Sequence, residues 1–257
     1  IIIDPLRETK PYLDKAIENN ATIKYVFLTH FHADFVSGHV DLANKTGAKI
    51  VFGPNAKAAF KFYSGADNED FKLGEITLRL LHTPGHTLES STFLLLDENG
   101  NEHCIFTGDT LFIGDVGRPD LAVKSDLNEK DLAGLLFDSL RNKIMPLPDK
   151  TIVYPAHGAG SACGKNMSKE TFDTLGNQKL FNYALRADMT KEEFINEVTT
   201  DLATPPQYFP KNVLMNQSLN NDIDSIIKNG LNTINVEEFE KLNADSSILT
   251  LDCRTQK

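Results

Sequence analysis

Ile23-Lys24-Tyr25-Val26-Phe27-Leu28 runs straight into Thr29-His30-Phe31-His32-Ala33-Asp34. The first six residues are mostly β-branched or aromatic and read as a strand. The next six place two imidazoles and a carboxylate where that strand ends. The same transition recurs three times. Ile76, Leu78 and Leu80 alternate toward His82-Thr83-Pro84-Gly85-His86, Cys104-Ile105-Phe106 leads to Thr107-Gly108-Asp109, and Thr151-Ile152-Val153-Tyr154 leads to Pro155-Ala156-His157. Strands ending in polar clusters, with helices between them, predict a layered α/β sandwich with a site along one sheet edge.

The clearest helix spans about Asn128 to Met145. Leu132, Leu135, Leu136, Phe137, Leu140 and Ile144 share one face at spacings of three and four. Asn128 is a suitable N-cap, and Glu129 and Asp131 suit the first turn. A further helix is expected over Lys191–Val198, and Thr204-Pro205-Pro206-Gln207-Tyr208-Phe209-Pro210 breaks the pattern. Residues 216–232 read as an Asn-rich linker or helix, and Val236–Leu242 begins a new element. Ile1-Ile2-Ile3 before Asp4-Pro5 reads as a buried strand with neighbours upstream. Ile248-Leu249-Thr250-Leu251-Asp252-Cys253 reads as a strand with no partner, so both ends are expected to be interrupted.

The 257 residues carry 26 Lys and Arg against 36 Asp and Glu, a formal charge of −10. Such a chain, without a basic run, is poorly suited to neutralising nucleic-acid phosphates and would be repelled by an anionic membrane surface. An anionic small substrate would need local cations such as Arg118 or Lys165. The apolar runs Ile1–Ile3 and Phe93–Leu96 are too short to cross a bilayer. Cys104, Cys163 and Cys253 are odd in number and widely spaced, which suits a reducing cytoplasm better than a disulfide framework.

His30, His32, His86 and His157, with Asp34 and Asp109, all follow strands. Neutral imidazole and carboxylate donors that converge from neighbouring strand ends are what a catalytic first-row metal requires. Pro84-Gly85 permits a tight turn before His86, and Gly108 does the same before Asp109. Each cluster also has a structural reading, as a loop, a turn, a helix cap at Asp109 or a buried histidine at His157. Their shared position at strand ends is what favours a metal. His39, His82 and His103 lack that support and read as structural or surface residues.

The four motifs, from Thr29–Phe35, Thr83–Thr87, Thr107–Phe112 and Tyr154–His157, resemble in order the metal signature of the metallo-β-lactamase superfamily. Gly117-Arg118-Pro119-Asp120 and Tyr208-Phe209-Pro210-Lys211-Asn212-Val213 look like its persulfide dioxygenase branch, in the bacterial form fused to a rhodanese domain. The likeness runs from Ile1 to about Asn216, and Asn232–Arg254 looks like the opening of a rhodanese domain. It implies a four-layer αββα sandwich over residues 1–215, a linker over 216–231 and the start of a truncated rhodanese-like α/β domain over 232–257. Partners implied are a thiol persulfide, O2, a rhodanese domain in the same chain and further copies of the chain.

Hydrolytic members such as hydroxyacylglutathione hydrolase hold two metals with His-x-His-x-Asp-His. Phe35 stands where the final histidine would be and has no lone pair, leaving Asp34 and His157 as a poorly completed second site. The resemblance therefore implies one Fe(2+) per chain on His30, His86 and Asp109, a set that leaves positions open for oxygen chemistry. His32, Asp34 and His157 would orient ligands or water around it. Arg118 would either pair with a carboxylate of a glutathione-like carrier or hold Asp115 or Asp120. Cys163, in the Gly-rich stretch after His157, would either carry sulfane sulfur beside the metal or be an incidental buried thiol. Cys104 is expected in the core, and Cys253 is not placed as a rhodanese nucleophile. The implied reaction is persulfide oxidation to sulfite and thiol. Its rivals are a dinuclear zinc hydrolase of glutathione thioesters and a non-catalytic metal-binding sulfur carrier. The identity of the carrier thiol stays open.

Overall fold

A computed structural model describes residues 1–122, 127–219 and 222–253. Two compact units divide the chain, Ile1–Asn220 and Asn221–Lys257.

In the first unit the chain forms β1 (Ile2–Ile3), α1 (Lys10–Glu18), β2 (Tyr25–Phe27), α2 (His39–Thr46), β3 (Lys49–Phe52), β4 (Tyr63–Ser64), β5 (Asp70–Leu73), β6 (Ile76–His82), β7 (Ser91–Leu96) and β8 (Glu102–Gly108). Then come α3 (Glu129–Ser139), β9 (Ile152–Pro155), β10 (Asp173–Thr174), α4 (Leu175–Phe181), α5 (Lys191–Thr199) and α6 (Phe209–Asn216). One sheet has the order β1-β2-β3-β4, all parallel. The other has the order β10-β9-β8-β7-β6-β5, antiparallel except for the β9–β8 pair.

Alternation along the strands builds the layers. On β2, Phe27 joins Val51, Leu78, Leu80 and Phe93 between the two sheets. Val26 and Leu28 point the other way, toward Leu42 and Tyr12 of α2 and α1. On the second sheet Leu94, Ile105 and Val153 face Leu136 of α3 and Phe194 of α5. Side chains of period two therefore give helix, sheet, sheet, helix. Burial of these apolar faces supplies the main driving force for the stack.

The expected helix at 128–145 starts as read. Asn128 accepts from the N–H groups of Lys130 and Asp131, and the Asp131 side chain returns the bond to the Asn128 N–H. Past Ser139 it widens into a π-helical turn, Leu140–Ile144. The strand read at 23–28 is shorter, and α1 and α2, which the hydrophobic pattern did not single out, cover the first sheet. Cys104 lies buried in β8.

The second unit contains α7 (Ile223–Gly230), capped by Asp222, and α8 (Val236–Asn243), capped by Asn235. The strand expected at 248–253 does not form. These residues have no ladder and are exposed, because an apolar run without a neighbouring strand has nothing to satisfy its backbone. Residues 220–221 of the expected linker and 254–257 of the expected rhodanese-like part lie outside the described residues. No helix among the described residues is long and apolar enough to cross a membrane.

Candidate metal centre

Four loops bring the site together at one edge of the facing sheets. The 28–38 loop leaves β2 and is held down by bonds from Leu28 N–H to Val51 O (3.0 Å) and from Ser91 N–H to Thr29 O (2.9 Å). His86 follows β6 through Gly85, whose φ is 147° and whose absent Cβ would lie 2.4 Å from the Leu136 Cα. Asp109 follows β8 through Gly108, with φ 53° and no room for a side chain against Thr29. Both glycines are thus required by backbone angle and by close approach. His157 follows β9.

His30, His86 and Asp109 are buried and offer donor atoms within 4.8 Å of one another. The Oδ2 atom of Asp109 stands 3.8 Å from His30 Nε2 and 3.4 Å from His86 Nε2. The rings are oriented for this. The Thr29 hydroxyl donates to Asp4 Oδ2 (2.7 Å), so it accepts from His30 Nδ1–H (2.9 Å). His86 Nδ1 donates to the carbonyl of Arg118 (2.8 Å). In both rings the proton sits on Nδ1 and the bare Nε2 lone pair faces Asp109. Burial first, and then neighbouring His32, His86 and His157, hold the His30 pKa well below its usual value. It is the neutral donor that a cation needs.

A second trio, His32, Asp34 and His157, adjoins the first, also with donors within 4.8 Å. His157 Nε2 stands 3.3 Å from Asp109 Oδ1 and 3.6 Å from Asp34 Oδ2. The two oxygens of Asp109 therefore face different trios. The sequence counted only Asp34 and His157 for a second site; His32 joins them, which corrects that count. Phe35 does not contribute a donor and stacks on the His32 ring at 4.3 Å between centroids. His32 Nε2 is 3.1 Å from Asp4 Oδ1. Burial acts to lower its pKa, but the charge and hydrogen bond of Asp4, with Asp109 and Asp34, raise it overall.

Both oxygens of Asp109, His32 Nδ1, Asp34 Oδ1 and His157 Nε2 are buried with no hydrogen-bond partner. Orphaned buried polar atoms are costly, and here they converge. Two imidazoles and a carboxylate fit a first-row divalent ion. The donor set therefore fits a metal.

Cys163 is buried beside Ala33, Phe112 and Phe209, and its thiol lies within 4.8 Å of Asp109 and His157 donors. Burial, followed by Asp109 and Asp34, pushes its pKa far up, so it stays a thiol. Arg118 is also buried, but it grips both oxygens of Asp120 (2.7 Å each) and donates to Ala162 O and Ala203 O (3.3 and 2.5 Å). It therefore holds Asp120, one of the two structural partners considered from the sequence. His39 is buried between Phe60 and Phe52, and burial, then His32, lowers its pKa to about 4.

Asp4 was read only as a turn. It ends β1 and bonds Thr29 through both N–H (2.8 Å) and hydroxyl. The rule that found the other site residues, a polar group directly after an apolar strand, applies to it equally. Asn216 was missed too. From the end of α6 it donates to His32 O and Phe35 O and accepts from Ser37 N–H, each at 2.8 Å. No local sequence signal marks a contact 179 or more residues distant.

A model of the metallo-beta-lactamase superfamily matches residues 1–157. The chain is 30% identical over 182 residues to a probable hydroxyacylglutathione hydrolase, glo2, of Schizosaccharomyces pombe, covering 70% of this chain and 66% of that protein. It is 31% identical over 166 residues to the mitochondrial persulfide dioxygenase ETHE1 of Homo sapiens, covering 61% and 58%. The crystal structure of a metallo-beta-lactamase from Staphylococcus aureus superposes with a TM-score of 0.78 at 36% identity, covering 86% of this chain and 65% of that one. The match thus spans less than two thirds of the length of each of these three proteins.

Proposed function

This chain belongs to the metallo-β-lactamase superfamily, and from that premise we propose that it is a mononuclear non-haem iron oxygenase of a low-molecular-weight thiol persulfide. The balanced reaction is RSSH + O2 + H2O → RSH + H2SO3. Relatives with hydrolase and with dioxygenase names match at nearly equal identity, so similarity alone does not choose between them.

The observation that carries the choice is the unequal support of the two donor trios. His30 and His86 each have Nδ1 committed to a fixed acceptor, which aims Nε2 at Asp109. The second trio is supported differently. His32 Nε2 stands 3.1 Å from Asp4 Oδ1, which competes with a cation for it, His157 Nε2 has no hydrogen-bond partner, and Phe35 fills the place of a further donor. A preoriented set binds one ion more tightly than such a set binds a second.

His30, His86 and Asp109 would hold the iron, which when bound supplies open coordination positions and redox capacity. The protein residues exclude water and place the reacting groups. Phe31, Ala33 and Phe112 bury the surroundings of the donors. His157 and Asp34 are placed to hold a water or accept a proton beside Asp109. Cys163 lies beside the donors as a buried thiol and helps to keep water from them.

The competing reading is a dinuclear zinc thioesterase, favoured by the way Asp109 presents one oxygen to each trio. Elemental analysis of protein purified without oxygen, with oxygen-uptake assays on glutathione persulfide, decides between them. About one iron per chain and persulfide-dependent uptake are expected. Two zinc ions with oxygen-independent thioester cleavage would overturn the proposal.

A further inference from the structure

Arg118 and Lys165, the cations first considered for an anionic substrate, are both spent inside the fold. Arg118 is saturated as described, and the Lys165 ammonium donates to the carbonyls of Glu197 (2.7 Å) and Thr200. A cavity of 770 Å³ reaches His32, Asp34 and His157, but no lysine or arginine is among its described walls. A second cavity, of 360 Å³, reaches His86. Its walls include Lys57, which is exposed and makes no hydrogen bond or ion pair with any described residue. They also include Glu89, whose Oε1 accepts the N–H of Phe31 (3.2 Å). That bond fixes the carboxylate, and no described residue bonds Oε2. Two opposite charges thus face one small cavity beside a metal donor and do not neutralise each other.

We infer that Lys57 and Glu89 form a subsite for an α-amino-acid end of the thiol carrier, the lysine receiving its carboxylate and the glutamate its ammonium. This rests on the proposed action on a low-molecular-weight thiol. The volume is at the small end for ligand pockets, right for a peptide-sized thiol. An unpaired lysine at a surface cavity is a mobile point charge that can follow a flexible carboxylate. A fixed carboxylate next to it selects among anions. Coenzyme A and inorganic polysulfide bring negative charge without a neighbouring ammonium, so Glu89 repels them, whereas an amino-acid zwitterion satisfies both groups. With the zwitterion held at the mouth, the sulfur end extends toward His86 and the donors behind it.

The test is calorimetric binding of glutathione to the full metal-loaded chain and to Lys57→Ala and Glu89→Gln. The glutamine keeps an acceptor for Phe31. Each change is expected to weaken glutathione about fivefold, the scale of one solvent-facing ion pair. Glutathione esterified at both carboxylates should bind the parent weakly and be indifferent to Lys57→Ala. N-acetylglutathione should be indifferent to Glu89→Gln. Unchanged glutathione affinity in both variants, or coenzyme A bound more tightly than glutathione, would overturn the subsite. Oxygen uptake by the parent chain is measured separately. Absent uptake with Lys57-dependent glutathione binding rejects the oxygenase and keeps the subsite, while normal uptake with Lys57-independent binding does the reverse.

Discussion

Asn216→Ala tests whether the loop bearing the metal donors is held shut from the far end of the unit. The side chain is 2% exposed and makes three bonds, to His32 O, Phe35 O and Ser37 N–H. Its loss strands the buried His32 carbonyl, the half-buried Phe35 carbonyl and the Ser37 N–H. Leaving a buried group unsatisfied costs about 1–3 kcal/mol. The three are coupled and some admit water, so the net loss is expected at about 3–5 kcal/mol, a large part of a domain's usual stability. Asn212→Ala, which removes one bond to Ala33 O (3.0 Å), is the matched control at about 1 kcal/mol. Asn216→Asp is expected to be no better than alanine, because an ionised carboxylate would face two carbonyl oxygens. Urea unfolding gives the stabilities, and competition with a chromophoric chelator gives metal affinity. Because residues 32–37 carry donors, affinity should fall in Asn216→Ala and hold in Asn212→Ala. A loss under 1 kcal/mol for Asn216→Ala, with metal retention unchanged, would refute the clamp.

Phe35→His supplies the donor missing from the second trio, and metal content by elemental analysis should rise from about one to about two ions per chain; a value still at one would show that His32, Asp34 and His157 cannot be recruited. Gly85→Ala places a Cβ 2.4 Å from the Leu136 Cα at φ 147°. It should cost at least about 1–3 kcal/mol in denaturation, with weakened metal binding as the His86 loop shifts. The pKa of Cys104 is pushed up by burial to about 11. Below that pH the folded chain keeps the thiol protonated, so at pH 8 only roughly one molecule in a thousand carries the thiolate. Alkylation followed by mass spectrometry should modify the exposed Cys253 first, with Cys104 reacting only as pH climbs toward 11 or on unfolding; early modification of Cys104 at pH 8 would contradict its core placement.

Much of this site was legible because its donors obey a local rule. A strand of β-branched and aromatic residues ends, and a histidine or aspartate follows within a few positions. Sheet topology then does the gathering, since β2, β6, β8 and β9 all release their loops at one edge. The rule places His30, His86, Asp109, His32, Asp34 and His157 without any long-range information. It would have found Asp4 as well, had Ile1–Ile3 been treated like the other strands. The strand expected at 248–253 does not form, for the complementary reason. Ile248–Cys253 has strand composition, but a strand exists only when a neighbour supplies its hydrogen bonds. Asn216, Lys57 and Glu89 were illegible because their roles depend on where distant elements pack, not on their neighbours in sequence.

The proposed chemistry depends on how many ions the site holds. Six donors in the same motif order suit one ion or two, and composition cannot distinguish them. What separates the trios is what stands behind them. A threonine and an aspartate fix His30, a backbone carbonyl fixes His86, while His32 has Nε2 beside Asp4 and a phenylalanine ring against its face. Phe35 offers no lone pair and lies against the face of His32. An ion held on one side by two neutral imidazoles and one carboxylate keeps positions free for small reactants, whereas a paired centre would fill them with shared ligands. The proposed oxygenase chemistry therefore turns on Phe35 as much as on the residues that would hold the ion.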